Sequence, residues 1–583
     1  TPAYAALCAF AFAHAQEQNS PAVNTTQGWI QGSVVDGNYH VFYGIHYAGF
    51  VSGGNRFKAP PPPPSYPGVF HAINSGVICA HPTSRGIVGV EDCLTLSIYT
   101  ANLTASQPVL VWLQGEEYTT TDTTLRSFKN FVDRNVVVVN VNYRLSIFGF
   151  LCLGVPEAPG NAGLKDVVQA LKWIQENIAG FGGNPNNVVL FGHGSGAAMV
   201  DLLTLSPSAE NLMHKAITQS GSALSPGAIS YKPIEYAEAL GAKLGYTGKS
   251  REELARLLTT TDITLLATAL TEFEFFNNTA LFAPCIENNV DSNNTIISDA
   301  PINIIRSGNY SHIPYMAGYT NKEGTIRAHE AAYSQWLEKM QTNFDDFIQV
   351  DLDVATNANK TAIVKSIREY YFSQRAINME TIEDYLDYHG DTMILVSAIR
   401  GARERALTSR AEVYLYEFAY RGTLNSDWAL PQIPLTGVRH GGVLNYLLNY
   451  DLTPGDVHVM EAIMKRYKLF LNNGVWLINL RCHEIERNVY FDDCLYVNKN
   501  MIPLWEPITS SRLPYLIFSG GETSINVTSS YEHQGFDPHQ QRMTFWNNHY
   551  DRLYKAPSPV SSATKVMSLV FTVGLFQLLL SVL

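Results

Sequence analysis

Two hydrophobic periods alternate along the first half of the chain. Pro108-Val109-Leu110-Val111-Trp112-Leu113 and Val136-Val137-Val138-Val139 are continuous apolar runs. Such runs suit parallel strands covered on both faces. Between them and the next run, Leu164, Val167, Val168, Leu171, Ile174 and Ile178 recur at helical spacing, and Gly180 supplies a stop. Val188 to Phe191 then predicts another strand. This strand–helix–strand order implies a right-handed crossover and a doubly wound, mostly parallel sheet with helices on both faces. Later strands are expected at Ile313 to Ala317, Val413 to Phe418 and Tyr515 to Ser519. The stretch from about Ser230 to Arg410 is mostly helical in pattern, with polar loops between. No internal repeat interrupts this order, and the proline run Pro60 to Pro64 reads as a surface connection.

Composition adds scale. With 583 residues, 46% of them hydrophobic, the chain can bury a large core. Large α/β folds run to this length as one unit. A formal charge of -12 argues against nucleic acid as a partner. No cofactor and no metal is expected.

The ends read as targeting segments. Residues 1–15 (TPAYAALCAFAFAHA) are small and apolar, and Ala13-His14-Ala15 fits a cleavage site, so a secretory signal remnant is expected. Residues 16–555 are assigned to the folded domain and 556–583 to a C-terminal membrane or lipid-anchor signal. Val566 to Leu583 is almost wholly apolar, behind the small residues Ser561, Ser562 and Ala563. That order suits a GPI-anchor signal, with a transmembrane tail as the alternative. Sequons at Asn24, Asn102, Asn277, Asn293, Asn309, Asn359 and Asn526 fit a secreted or cell-surface glycoprotein. Of the seven cysteines, Cys8 lies in the signal; the other six allow 15 pairings. Cys79 and Cys93 would close a short loop, and Cys482 and Cys494 form a second local pair. Cys152 and Cys285 sit in apolar runs and are expected as buried free thiols.

The most informative stretch is Val188-Val189-Leu190-Phe191-Gly192-His193-Gly194-Ser195-Gly196. A hydrolase nucleophile elbow reads G-x-S-x-G between a strand and a helix. From Gly192 to Gly196 the central position is Gly194, and Ser195 comes one place late. A register shifted onto Ser195 would need glycines at 193 and 197, where the chain has His193 and Ala197. The elbow holds its central residue in a strained conformation, and glycine relieves that strain.

Longer motifs carry a family resemblance. Pro159-Gly160-Asn161-Ala162-Gly163-Leu164-Lys165-Asp166 and Phe181-Gly182-Gly183-Asn184-Pro185 resemble the type-B carboxylesterase/cholinesterase family. Glu91-Asp92-Cys93-Leu94, Asn142-Tyr143-Arg144-Leu145 and Gln219-Ser220-Gly221-Ser222 do so as well. The resemblance runs from about residue 22 to 550 and implies an α/β-hydrolase fold with a Ser-Glu-His triad in a deep gorge. It places the acid at Glu323 in Gly318-Tyr319-Thr320-Asn321-Lys322-Glu323-Gly324 and the base at His440 in Gly437-Val438-Arg439-His440-Gly441. The nucleophile position falls on Gly194. Oxyanion-hole positions fall on Glu116, Glu117 and Ser195, with two acidic residues where the family carries glycines. The resemblance also implies structural ion pairs Arg56–Glu91 and Arg144–Asp166. The Cys79–Cys93 loop contains no aromatic residue, whereas cholinesterases carry there the Trp that stacks on choline, which argues against acetylcholine.

Glycine has no oxygen to activate. Loss of a nucleophilic serine costs on the order of a millionfold in rate in a well-studied protease. Loss of an oxyanion donor costs about 10² to 10³. The elbow, reading F-G-x-G-x-G-A, resembles non-catalytic neuroligin-like and neurotactin-like members of the family. The expectation is a degenerate carboxylesterase-like glycoprotein that binds a protein partner at the cell surface or a hydrophobic ligand in the gorge. The alternative is an active ester hydrolase using Ser195 or water. On this reading Glu323 and His440 are a structural pair and His193 is a packed neighbour.

Overall fold

The computed structural model describes residues 18–35, 39–120, 127–248, 250–288, 290, 294–425, 430–448, 452–474, 505–520 and 531–560. The signal remnant, Cys482, Cys494, Asn293, Asn526 and the apolar tail from 561 onward lie outside them. No helix among the described residues is long and apolar enough to cross a membrane.

A single sheet of twelve strands organises the described residues. Its strands are β1 (Gln18–Asn19), β2 (Ser33–Val35), β3 (Tyr39–His46), β4 (Thr95–Thr100), β5 (Gln107–Gly115) and β6 (Val137–Val141), followed by β7 (Gly183–Gly194), β8 (Lys215–Gln219), β9 (Tyr315–Thr320), β10 (Val413–Phe418), β11 (Pro514–Phe518) and β12 (Glu532–Phe536). Their order in space is β1-β2-β3-β4-β6-β5-β7-β8-β9-β10-β11-β12. From β6 to β11 all neighbours are parallel, and antiparallel strands finish both edges.

The continuous apolar runs explain themselves in this sheet. Successive side chains point to opposite faces. Val109, Val111 and Leu113 enter the core on one face, together with Val137, Val139, Val188 and Leu190. Leu110, Trp112, Val138, Val189 and Phe191 enter a second core on the other face. Helices cover both. On the first face lie α1 (Ala162–Asn177), α2 (Ser195–Thr204), α3 (Ile382–Gly390) and α4 (Val396–Thr408), whose buried side chains join the first core. On the second, α5 (Pro454–Asn473) buries Val459, Ile463, Tyr467 and Phe470. The structure is thus the α/β-hydrolase fold, doubly wound and mostly parallel.

Strand β7 runs from Gly183 to Gly194, well beyond the four apolar residues that announced it. Strand β9 begins at Tyr315, two residues after its expected start; Pro314 precedes it and has no amide hydrogen to give the ladder. The ion pairs form inside the fold. Arg56 Nε and Nη2 donate to Glu91 at 2.6 and 2.9 Å. Arg144 Nε donates to Asp166 at 2.8 Å, with its guanidinium also tied to the carbonyls of Arg56, Lys58 and Ala162.

Cys79 and Cys93 are bonded. Cys152 and Cys285 are bonded too, 133 residues apart in sequence, and are not the free thiols expected from their apolar surroundings. The Asn161 side chain explains the meeting. Its amide donates to the Cys285 carbonyl at 2.9 Å and its oxygen accepts from the Cys285 amide at 2.8 Å, which pins the two segments together. In a chain-entropy picture a loop of this length stabilises the fold by about 5 kcal/mol. Replacing both cysteines by serine should therefore lower stability by about 2–5 kcal/mol, read as a fall in melting temperature. Thiol titration of the unfolded, unreduced native chain should find neither Cys152 nor Cys285 free; a reactive thiol at either would contradict the bridge.

Candidate active site

The parallel strands deliver their carboxyl ends to one edge, where ligands of such sheets bind. Register places Gly115 directly opposite Gly194. The chain leaving β5 therefore passes over the turn that joins β7 to α2. That turn keeps the elbow's geometry. Gly194 has φ 60° and ψ -126°. A Cβ at Gly192 would meet the Gly196 carbonyl at 2.3 Å, and one at Gly196 would meet Leu113 O at 2.3 Å. A side chain at position 194 in this conformation would cost about 1–3 kcal/mol of backbone strain.

The acid and base positions come together. Lys322 N donates to Val438 O at 3.1 Å and His440 N to Thr325 Oγ1 at 2.8 Å, which holds the histidine loop against the loop after β9. Glu323 Oε2 then lies 2.6 Å from His440 Nδ1. Its other oxygen accepts from Ser220 Oγ at 2.6 Å and from the Thr320 amide at 2.7 Å. Ser220 was visible in the sequence only as part of a family motif; its role depends on β8 and β9 lying side by side.

The other ring nitrogen of His440 faces Glu116. Nε2 stands 3.5 Å from Glu116 Oε2, and His193 Nδ1 stands 3.3 Å from Oε1. These are ion-pair distances without hydrogen-bond alignment. A Cβ built on Gly194 would sit 2.7 Å from Gly115 O and 3.3 Å from Glu116 Oε2. The glutamate carboxylate thus stands in front of His440, beside the space a nucleophile's side chain would occupy. The rings of His193 and His440 are 4.7 Å apart.

Charge follows this arrangement. Burial alone would raise the Glu116 pKa, but the two histidines hold it well below the usual carboxylate range. Burial would likewise lower the His440 pKa, yet Glu323 and Glu116 together push it up to about 10. Burial lowers His193, aided by the His440 charge and opposed by Glu116. Burial works against the Glu323 carboxylate, and the His440 charge with bonds from His440, Ser220 and Thr320 still keeps its pKa low. At neutral pH the centre is an imidazolium between two carboxylates, with a neutral histidine alongside.

The oxyanion positions are rebuilt. Glu116 N donates to Thr120 O at 3.1 Å, and Tyr118 N donates to Ser195 Oγ at 2.9 Å. The first bond closes the loop on itself, and the second ties it to the start of α2. Ser195 turns its oxygen to Tyr118 and makes no hydrogen bond to His440 among the described residues. Glu117 and Tyr118 keep positive φ values of 50° and 61°, a conformation that favours glycine. Glu117 is held there by the buried Arg327, whose Nη1 donates to Glu117 Oε2 at 3.1 Å and whose Nε donates to Asn278 at 3.0 Å. Nothing in the sequence linked Arg327 to this loop, because the two are 210 residues apart.

Above these residues opens a small pocket of about 70 Å³. Its wall is largely apolar: Tyr118, Ala228, Ala280, Ile326, Met393 and Ile394. The last two belong to a π-helical stretch, Asp391–Leu395, joining α3 to α4. Such wide turns commonly mark functional sites. Polar groups gather at the floor, at Glu116, Ser195 and His440. The set Glu116, His193 and His440 also has the composition of a metal centre, with its ligand atoms within 4.8 Å of one another.

Comparison with known proteins places this site in a lineage. The model of the carboxylesterase family matches residues 19–534. Venom carboxylesterase-6 of Apis mellifera is 30% identical over 485 residues, covering 79% of this chain and 87% of that protein. A juvenile hormone esterase of Tribolium castaneum is 28% identical and covers 71% of this chain and 74% of its own. The crystal structure of juvenile hormone esterase from Manduca sexta, with OTFP covalently attached, superposes with a TM-score of 0.76. It shares 24% identity and covers 91% of this chain and 99% of that one, which speaks for the fold. Fold, motifs and family match agree, and this chain belongs to the carboxylesterase family.

Proposed function

We propose that this chain is a non-catalytic carboxylesterase-family glycoprotein that holds a small apolar ligand in the former active-site pocket. One observation carries the reading: position 194 offers no oxygen, and the Glu116 carboxylate lies 3.5 Å from His440 Nε2, beside the space a nucleophile's side chain would occupy. A general base must be free to accept a proton from the nucleophile. His440 is instead held as a cation between two carboxylates. A carboxylate at the pocket floor also opposes the negative charge that develops in acyl transfer.

The pocket supports binding. Its apolar wall and polar floor suit a small ligand with one polar end. An extracellular setting is supported by two disulfides and by the exposed sequon residues Asn24, Asn102, Asn309 and Asn359. The elbow's likeness to neuroligin-type members supports a use of the fold without turnover. Attachment to a membrane through residues 556–583 is part of the same proposal.

Two outcomes are expected. In buffer containing a chelator, p-nitrophenyl ester hydrolysis should not exceed the rate without protein, while a short-chain alkyl ester should bind with one-to-one stoichiometry in calorimetry and be recovered intact. Hydrolysis of the bound ester would refute the reading. Gly194→Ser alone should stay inactive, because its side chain meets the Glu116 carboxylate. Adding Glu116→Gly should raise ester turnover by at least about 10², a fraction of what a triad serine contributes. Activity in the single variant equal to that in the double would show that Glu116 is no obstacle.

A further inference from the structure

We propose that Glu116, His193 and His440 bind a divalent transition-metal ion of the zinc class, with one coordination position open to the pocket. This inference stands apart from the ligand-binding reading. It rests on three groups that the sequence places far apart: the loop after β5, the end of β7 and the histidine loop after β10.

The ligand types fit. Two imidazoles and a carboxylate, with a vacancy for water or a ligand oxygen, are a recurrent zinc donor set. The spacing fits as well. Around an ion with bonds of about 2.0–2.2 Å, tetrahedral ligand atoms are about 3.3–3.5 Å apart. Glu116 Oε1 stands 3.3 Å from His193 Nδ1, and its other oxygen, Oε2, stands 3.5 Å from His440 Nε2. One ligand atom from each residue lies within 4.8 Å of the other two, so a closure of about 1 Å brings all three onto one ion.

His193 supplies an independent observation. Its side chain is 2% exposed, and neither ring nitrogen makes a hydrogen bond among the described residues. Buried polar atoms are normally paired, and an unpaired one costs about 1–3 kcal/mol. Nδ1 lies 3.3 Å from the Glu116 carboxylate. A metal bond there would satisfy it. His440 Nε2 is likewise buried without a hydrogen bond.

The surroundings complete the site. Metal-bound histidines usually donate their other N–H to a carboxylate, which fixes the ring. His440 Nδ1 does so to Glu323 at 2.6 Å, and Ser220 and Thr320 hold that carboxylate in turn. Gly194 leaves the space beside Glu116 clear, since a Cβ there would stand 3.3 Å from Oε2. Glu117 is spoken for by Arg327 and takes no part. The ion replaces the proton that His440 otherwise holds between the carboxylates, and the released proton passes to solvent. The old triad's acid–base pair becomes a ligand and its orienting carboxylate.

Cobalt(II) provides the test. The full-length glycoprotein, stripped with chelator, is titrated with Co²⁺ and followed by visible absorption. One equivalent should bind with the intense d–d bands of a four- or five-coordinate site, and Zn²⁺ should abolish them. Glu116→Gln and His193→Asn should each weaken binding by at least about tenfold, given that even outer-shell changes cost 10–100-fold. Should either variant fold poorly, anomalous scattering at the zinc edge from wild-type crystals soaked in Zn²⁺ gives a second reading, with a peak expected between the three side chains. Absence of the bands, bands that survive Glu116→Gln, or an anomalous peak elsewhere only would overturn the proposal.

Discussion

The Glu116 carboxylate is the group on which the character of this centre depends. It is one half-buried side chain, but it faces both His193 and His440. Coulomb attraction acts across these 3–4 Å, weakened by water reaching the partly exposed carboxylate. The two histidines keep Glu116 ionised against burial, and Glu323 together with Glu116 keeps His440 charged. Each group alone would be driven towards neutrality by desolvation. Together they form a closed arrangement that needs no nucleophile.

Neighbouring changes are consistent with it. With glycine at position 194 the elbow escapes its usual strain, and the space beside the carboxylate stays open. The loop after β5 keeps the left-handed backbone at Glu117 and Tyr118, and Arg327 holds Glu117 in place. The Glu116 amide serves Thr120 O, and the Tyr118 amide serves Ser195 Oγ. Ser195, the one hydroxyl adjacent to the apex, is drawn away from His440 by the Tyr118 amide. These features are mutually supportive within the fold.

Much of this was legible in the chain. Val109 to Leu113, Val136 to Val139 and Val188 to Phe191 announced buried strands because a strand covered on both faces cannot alternate in polarity. Glycine at the elbow's centre and glutamates in the glycine loop were legible as departures from motif. What stayed hidden depends on distance in sequence. The Cys152–Cys285 bridge spans 133 residues, and the Asn161 side chain ties the Cys285 backbone in place beside it, which no cysteine spacing reveals. Arg327 finds Glu117 only once the strands are assembled. The glutamates read as bulk and negative charge at an oxyanion site; that Glu116 would turn its carboxylate to two histidines follows from β5 and β7 lying in register. His193 read as a packed neighbour, which it is to His440, but its pairing with Glu116 needed three dimensions.

The central claim is that no side chain in this pocket is available for acylation. It is tested most directly by exposing the unmodified protein to an alkyl fluorophosphonate and weighing the intact chain, followed by peptide mapping of residues 188–204. The account predicts no adduct while an active serine esterase beside it is fully labelled. A stoichiometric adduct on Ser195 would contradict it.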